Sequence, residues 1–229
     1  MTGKHELSVT ASMPAGASVS ADGSVSADAS VSADASVSAD VNARADRIIE
    51  AMQRKGIPAD RFVIAIDGRC GSGKTTLTEI LCRRLEADAV HMDYFYLTPE
   101  QRTEARFSEP GGNVNYERFS EEVLPRLGKP EGFSYRRYDF PTRSFPEICS
   151  IRSGQRVIVE GAYSLHPVFG AYADLRVFSD IGREEQEKRI LLRNGPEGLK
   201  NFKKIWIPLE ENYLSACRIH EICDITIYN

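Results

Sequence analysis

Nowhere in the 229 residues does an apolar run approach the roughly 18 positions a membrane-crossing helix requires. No membrane is therefore expected as a partner. The opening residues, Met1 to Ser8, hold no apolar stretch of the kind a secretory signal carries, so none is expected. Cysteine is sparse. Cys70, Cys82, Cys149, Cys217 and Cys223 are odd in number and form no C-x-x-C pair. Neither a disulfide framework nor a structural zinc site is expected, and a reducing cytoplasm fits best. Positive charge is not in excess either. The net charge of -4 is carried by residues 1–42, where Lys4 stands against Glu6, Asp22, Asp28, Asp34 and Asp40; the remainder sums to zero. Without a global positive field the chain is not expected to bind nucleic acid.

What is present divides in two. Four hexads starting at Ser18, Ser24, Ser30 and Ser36 repeat the pattern Ser-Val-Ser-Ala-Asp-x. Stacked hexapeptide coils would put Val19, Val25, Val31 and Val37 inside, but four hexads make little more than one coil, and a solenoid needs several. Val and Ala alone offer too little apolar surface to offset ordering. Residues 1–40 are read as a disordered low-complexity tail, and 41–229 as one domain. That domain opens with an amphipathic helix on Val41, Ala45, Ile48, Ile49 and Met52, stopped at Gly56-Ile57-Pro58. The run from Arg61 to Asp67 is apolar almost throughout, as in a strand buried on both faces of a parallel sheet. Further strands are expected at 89–92, 156–160, 175–178 and 225–228, and helices at 74–85, 183–193 and 199–219. Strands alternating with helices predict an α/β, doubly wound parallel sheet flanked by helices. The segment 97–150 shows no clean periodicity and reads as a loop-rich insertion over one end of the sheet.

Gly68-Arg-Cys-Gly71-Ser72-Gly73-Lys74-Thr75 matches G-x-x-x-x-G-K-[ST], between an apolar strand and a helix. Glycines allow a tight turn and a close approach to an anion, and the loop N–H groups then point at phosphate oxygens at the positive end of the helix. Gly68, Gly71, Ser72, Gly73, Lys74, Thr75 and Thr76 are thus the expected ATP-binding set. Lys74 would reach the outer phosphates and Thr75 would ligate Mg²⁺. A guanine-reading N-K-x-D motif is missing, which sets a GTPase aside. A small kinase needs an acid for the acceptor hydroxyl, a metal partner and cations over the moving phosphoryl group. Asp93, just past the strand 89–92, is the candidate base. Glu160, ending an apolar strand, is the candidate metal partner beside Thr75. Arg189 and Arg193 share a helix face and could close over the triphosphate as a lid. His91 reads as a packed strand residue, and Asp67 as a carboxylate that is structural or stands behind the site's direct ligands. Trp206, Tyr213 and Leu214 read as core, and Pro208 is expected to kink or split the last helix.

These residues together resemble the uridine kinase branch of the phosphoribulokinase/uridine kinase family of P-loop kinases. The match runs over about 60–229 through Ala65–Thr76, His91–Tyr96, Tyr138–Phe140, Val159–Gly161, Asp174–Phe178, Lys188-Arg189 and Arg193-Asn194. The resemblance implies a P-loop NTPase fold with a lid. It also implies MgATP-dependent phosphorylation of a hydroxyl on a small-molecule acceptor, with a nucleoside first in line. Asp93 as base, Glu160 as metal partner, Tyr138 near the acceptor and lid arginines at 189 and 193 follow from it. The lid departs by lacking the family's Arg-Gly-Arg ending and running directly into Asn194-Gly-Pro-Glu-Gly198, and two acceptor positions depart as well. Arg143 stands where the family usually has a histidine, and Asn115 where it has an aspartate near the ribose. Both are kept as acceptor-binding candidates. An amide pairs differently from a carboxylate, so a non-nucleoside acceptor (pantothenate or a sugar phosphate) stays open. So does a non-catalytic nucleotide-binding protein. Homo-oligomerisation is left open.

Overall fold

The structure is a computed structural model that describes the backbone of residues 27–229 and side chains from residue 39 onward. Its centre is a five-stranded parallel sheet. The strands are β1 (Phe62–Gly68), β2 (Asp88–His91), β5 (Arg156–Glu160), β6 (Leu175–Asp180) and β7 (Ile225–Tyr228), in the order β2-β5-β1-β6-β7. All seven residues of β1 are buried, because both faces of the sheet are covered. On one face α1 (Ala27–Arg54) and α2 (Lys74–Leu85) pack Ala45, Ile48, Leu77 and Leu81 against Phe62, Ile64 and Ile66. On the other, Ala65, Val157, Val159 and Phe178 meet Phe95, Phe119, Tyr163 and Tyr213. The doubly wound α/β architecture is as the periodicity predicts.

Three departures have physical causes. Helix α1 begins at Ala27, inside the second hexad, instead of near 41. No glycine or proline interrupts the chain between Gly23 and Gly56, so the amphipathic part that packs on the sheet can propagate its helix backward. The tail before residue 27, read as disordered, lies outside the described residues. Second, the insertion is more regular than its sequence suggests. It holds α3 (Glu104–Ser108), α4 (Tyr116–Glu122) and an antiparallel hairpin of β3 (Phe133–Asp139) and β4 (Ser144–Ile151). In β3, Phe133 and Tyr135 point inward while Ser134 and Arg136 stay out, a period of two that was readable. Third, the helix expected over 199–219 is split, as Pro208 predicts, but by a π turn that the sequence did not announce. Helix α5 (Arg183–Asn201) kinks at Gly195, whose φ of 69° leaves helical space ahead of Pro196. It passes into a wider π turn (Phe202–Trp206) and then α6 (Ile207–Ala216) and α7 (Ile219–Ile222). Pro208 has no N–H to give the preceding turn and crowds the carbonyl four residues back, and the widened turn ahead of it relieves both.

Among the described residues no helix is long and apolar enough to cross a membrane. All five cysteines are free.

Candidate active site

The carboxyl ends of β1, β2 and β5 lie side by side, since Ile66 pairs with Glu160 and His91 pairs with Glu160 from the other edge. Open α/β sheets bind ligands at this rim. A cleft of about 890 Å³ opens there, lined by the loop, Asp93, Glu160, Arg189 and Arg193 among others.

The loop is built for close approach. Gly68 leaves β1 with φ 133°, and a Cβ there would stand 2.0 Å from the Ser179 carbonyl oxygen. Gly73 is the N-cap of α2 in left-handed conformation, without a side chain to satisfy the first N–H groups and without an acid in the first turn. Those donors and the positive helix end suit an anion. Lys74 is buried, and its Nζ donates to the carbonyls of Gly68 and Arg69 at 2.8 Å each. Thr75 and Thr76 line the cleft, whereas Ser72 is buried, with Ser179 donating to its carbonyl. Four side chains, Glu211, Asp180, Gln186 and Glu210, hold the loop from outside. Arg69 pairs with Glu211 at 2.6 Å and with Asp180. Gln186 donates to the Cys70 carbonyl at 2.9 Å, and Glu210 accepts from the Cys70 N–H at 2.9 Å. Asp67 is fully buried and accepts from the N–H groups of Gly68, Tyr163 and Leu165 and from the Tyr213 hydroxyl. With four donors committed to it, Asp67 takes the structural of the two roles its sequence position left open.

Asp93 opens onto the solvent of the cleft, yet protein surrounds it. That crowding, and then the charge of Glu160, push its carboxyl above the ordinary range, while Lys74 and Tyr96 pull it back. The Tyr96 hydroxyl donates to Asp93 at 3.1 Å, and burial holds that phenol protonated. Glu160 is buried and its Oε1 lies 3.4 Å from the Thr75 hydroxyl and 2.6 Å from His91 Nδ1. Thr75 and Glu160 offer hard oxygen donors beside the phosphate loop, the set that suits Mg²⁺. Among the described residues no group of three or more acidic, histidine or cysteine side chains forms a dedicated metal cage. Magnesium sites of this kind lean on substrate phosphates for the remaining ligands.

Arg189 Nη1 donates to the Gly71 carbonyl at 3.3 Å while its Nε binds Glu185. Arg193, one helical turn on, leans over Phe202 and binds Asn194. The acceptor candidates are not brought into the cleft. Tyr138 is buried against Phe145, Arg143 is exposed at the hairpin turn with φ 53°, and neither lines the cleft. Asn115 is also absent from the lining. It is the N-cap of α4, its Oδ1 accepting from the Arg118 N–H and its Nδ2 donating to Gln101. An amide serves both bonds; a helix start at that residue was the available signal. The cleft is walled instead by Tyr96, Tyr163, Phe202, Trp206 and Glu210. Trp206 is buried in a cluster with Ile190, Phe202 and Ile207, so it is core and wall together. Glu210 is buried, and that burial raises its carboxyl while Lys74 lowers it. Its place beside Asp93 carried no motif in the sequence.

Comparison with known proteins points the same way. No family model matches the chain. It is 26% identical over 174 residues to the uridine kinase of Staphylococcus epidermidis strain RP62A, spanning 69% of this chain and 84% of that one. It is 28% identical over 166 residues to the uridine kinase of Staphylococcus aureus strain JH9, spanning 68% and 77%. The chain has the P-loop NTPase fold and is similar in sequence to uridine kinases. In fold it is similar to a possible uridine kinase from Bacillus stearothermophilus, at a TM-score of 0.61 and 19% identity over 81% of this chain and 98% of that one. It is similar also to a D-glycerate 3-kinase from Cryptococcus neoformans, at a TM-score of 0.50 and 17% identity over 75% and 87%. P-loop kinases of this kind use ATP with a divalent metal and a small-molecule acceptor.

Proposed function

We propose that the protein transfers the γ-phosphoryl group of MgATP to a hydroxyl of a small-molecule acceptor, with a nucleoside as the first acceptor to test. The observation that carries this reading is the placing of Asp93 in one cleft with Lys74, Thr75, Glu160, Arg189 and Arg193. The loop N–H groups and Thr76 bind the triphosphate. Lys74 leaves its two carbonyls for the outer phosphate oxygens. Thr75 and Glu160 hold Mg²⁺, which when bound supplies charge neutralisation across the phosphates. Asp93 accepts the proton of the acceptor hydroxyl, whose oxygen then forms its bond to the γ-phosphorus as the bond to the ADP oxygen breaks. A carboxyl raised by its surroundings is the stronger base once ionised, which suits that task. Arg189 and Arg193 face the charge that builds on the phosphoryl oxygens.

The relatives' names support the nucleoside reading. A second reading, a non-nucleoside metabolite, is favoured by the absence of Tyr138, Arg143 and Asn115 from the cleft wall. Acceptor-dependent ADP release, followed with nucleosides and then with sugars, sugar phosphates and hydroxy acids, distinguishes the two. Asp93→Asn is expected to lower turnover about a hundredfold or more with ATP still bound. Unchanged turnover in that variant removes Asp93 as the base.

A further inference from the structure

Glu160 ends β5 and His91 ends β2, and the parallel register sets them directly opposite each other. His91 Nδ1 lies 2.6 Å from Glu160 Oε1. An ionised carboxylate can only accept, so Nδ1 carries the proton. The same oxygen faces the Thr75 hydroxyl at 3.4 Å, on the first turn of α2. The Glu160 side chain is 6% exposed, against 27% for His91, so the imidazole closes the outer side of a nearly enclosed carboxylate. The ring is itself braced. Tyr94 packs on it with centroids 5.2 Å apart, and the Arg137 guanidinium sits 4.8 Å from the Tyr94 ring centre. Glutamate has several rotatable bonds, and a carboxylate serving a metal must present its oxygens in one orientation. A hydrogen bond from a fixed ring achieves that.

We infer that His91 is a positioning residue, whose Nδ1–H holds the Glu160 carboxylate in the orientation that serves the divalent metal beside Thr75. This rests on the reading of Glu160 as a metal residue. A purely structural His91 would only pack the end of an edge strand, and a side chain of similar bulk would replace it without consequence for the metal.

The test is Mn²⁺ binding to the full chain in the presence of ADP, read from the electron paramagnetic resonance signal of free Mn²⁺. His91→Ala and His91→Leu are expected to weaken Mn²⁺ binding about ten- to a hundredfold. His91→Asn, whose amide nitrogen takes the place of Nδ1, is expected to stay within about threefold of the wild type. Metal-free ADP affinity stays the same in all three. Should the alanine variant fold poorly, the leucine variant fills the ring's space and carries the comparison with asparagine. Wild-type Mn²⁺ affinity in His91→Leu overturns the inference. Glu160→Gln separates the two levels. If it too binds Mn²⁺ as the wild type does, the metal reading of Glu160 falls and takes the role of His91 with it. If it binds weakly while His91→Leu binds normally, only the role of His91 is lost.

Discussion

Asp93 shows how a single side chain acquires chemistry from its surroundings. It follows β2 on a short 3-10 turn (Met92–Phe95), which turns it into the cleft while Met92 and Phe95 anchor the turn in the core. Crowding by the cleft walls and the neighbouring charge of Glu160 raise its carboxyl. A base must be ionised to act, so activity is lost as pH falls through that raised value. The acid limb of kcat/KM is therefore expected above the ordinary aspartate range, and neutralising Glu160 by Glu160→Gln should move it downward in whatever turnover remains. A limb at the ordinary value in the wild type would show that the Asp93 environment does not act as argued. The residues of the phosphate loop were legible from spacing alone, because only glycine tolerates Gly68's φ of 133° and its approach to Ser179. Glu210, Tyr163 and Gln186 were not legible, since each reaches the site from an element distant in sequence.

Helix α4 supplies a case at the scale of an element. Its first residue outside the helix, Asn115, occupies the position that the family resemblance assigns to acceptor binding. In the structure that amide is committed at both ends, to the Arg118 N–H and to Gln101. Losing an N-cap costs about 1 kcal/mol, with a range of about 0.5 to 2. Asn115→Ala is expected to lower unfolding stability by that amount, visible as a smaller urea midpoint at unchanged slope. The acceptor KM is expected to stay within about twofold, because the side chain does not line the cleft. A large rise in KM at unchanged stability would return Asn115 to the acceptor site. The α5–α6 region makes the complementary point. Its sequence predicts two helices and a proline disturbance, but not the π turn that lets Phe202 and Trp206 wall the cleft while packing on Ile190. Propensity gives helix in both cases; Pro208 demands a break, and the wider turn meets it while letting Phe202 and Trp206 pack.

At the scale of the whole molecule, a few long-range polar ties fasten the sheet edge to its helices. Asp224 precedes β7, accepts from the Arg176 N–H at 2.8 Å, and pairs with Arg176 at 3.2 Å and with Lys55 beyond α1 at 2.8 Å. Partial burial pushes its carboxyl up, but these donors outweigh it and hold the pKa at about 2. A depressed carboxylate adds stability above its unfolded pKa and loses it as pH falls through the folded value. The contribution of Asp224 is thus present above about pH 4 and fades toward pH 2. With allowance for solvent around the pair, it is on the order of 1 kcal/mol. Asp224→Asn is expected to be less stable than the wild type by about that much at pH 7, and the gap should close near pH 2. Equal urea midpoints at both pH values would show that the tie contributes nothing.

The sequence by itself determined the five strands of the parallel sheet and the main helices between them, the phosphate loop and the acids at strand ends. These are local signals: periodicity reports which faces are buried, and the loop's glycines report a backbone conformation that other residues resist. The tertiary structure decided which elements share one rim. The strand order β2-β5-β1-β6-β7 sets β5 between β2 and β1. That placing brings His91, 69 residues away in sequence, onto Glu160 and turns two apparently unrelated strand ends into one hydrogen-bonded pair. It also left Arg143 at a hairpin tip and Asn115 in a helix cap, outside the lining of the cleft. Side-chain partners across a parallel sheet are fixed by register and crossover connections, and neither is written in the spacing of residues along the chain.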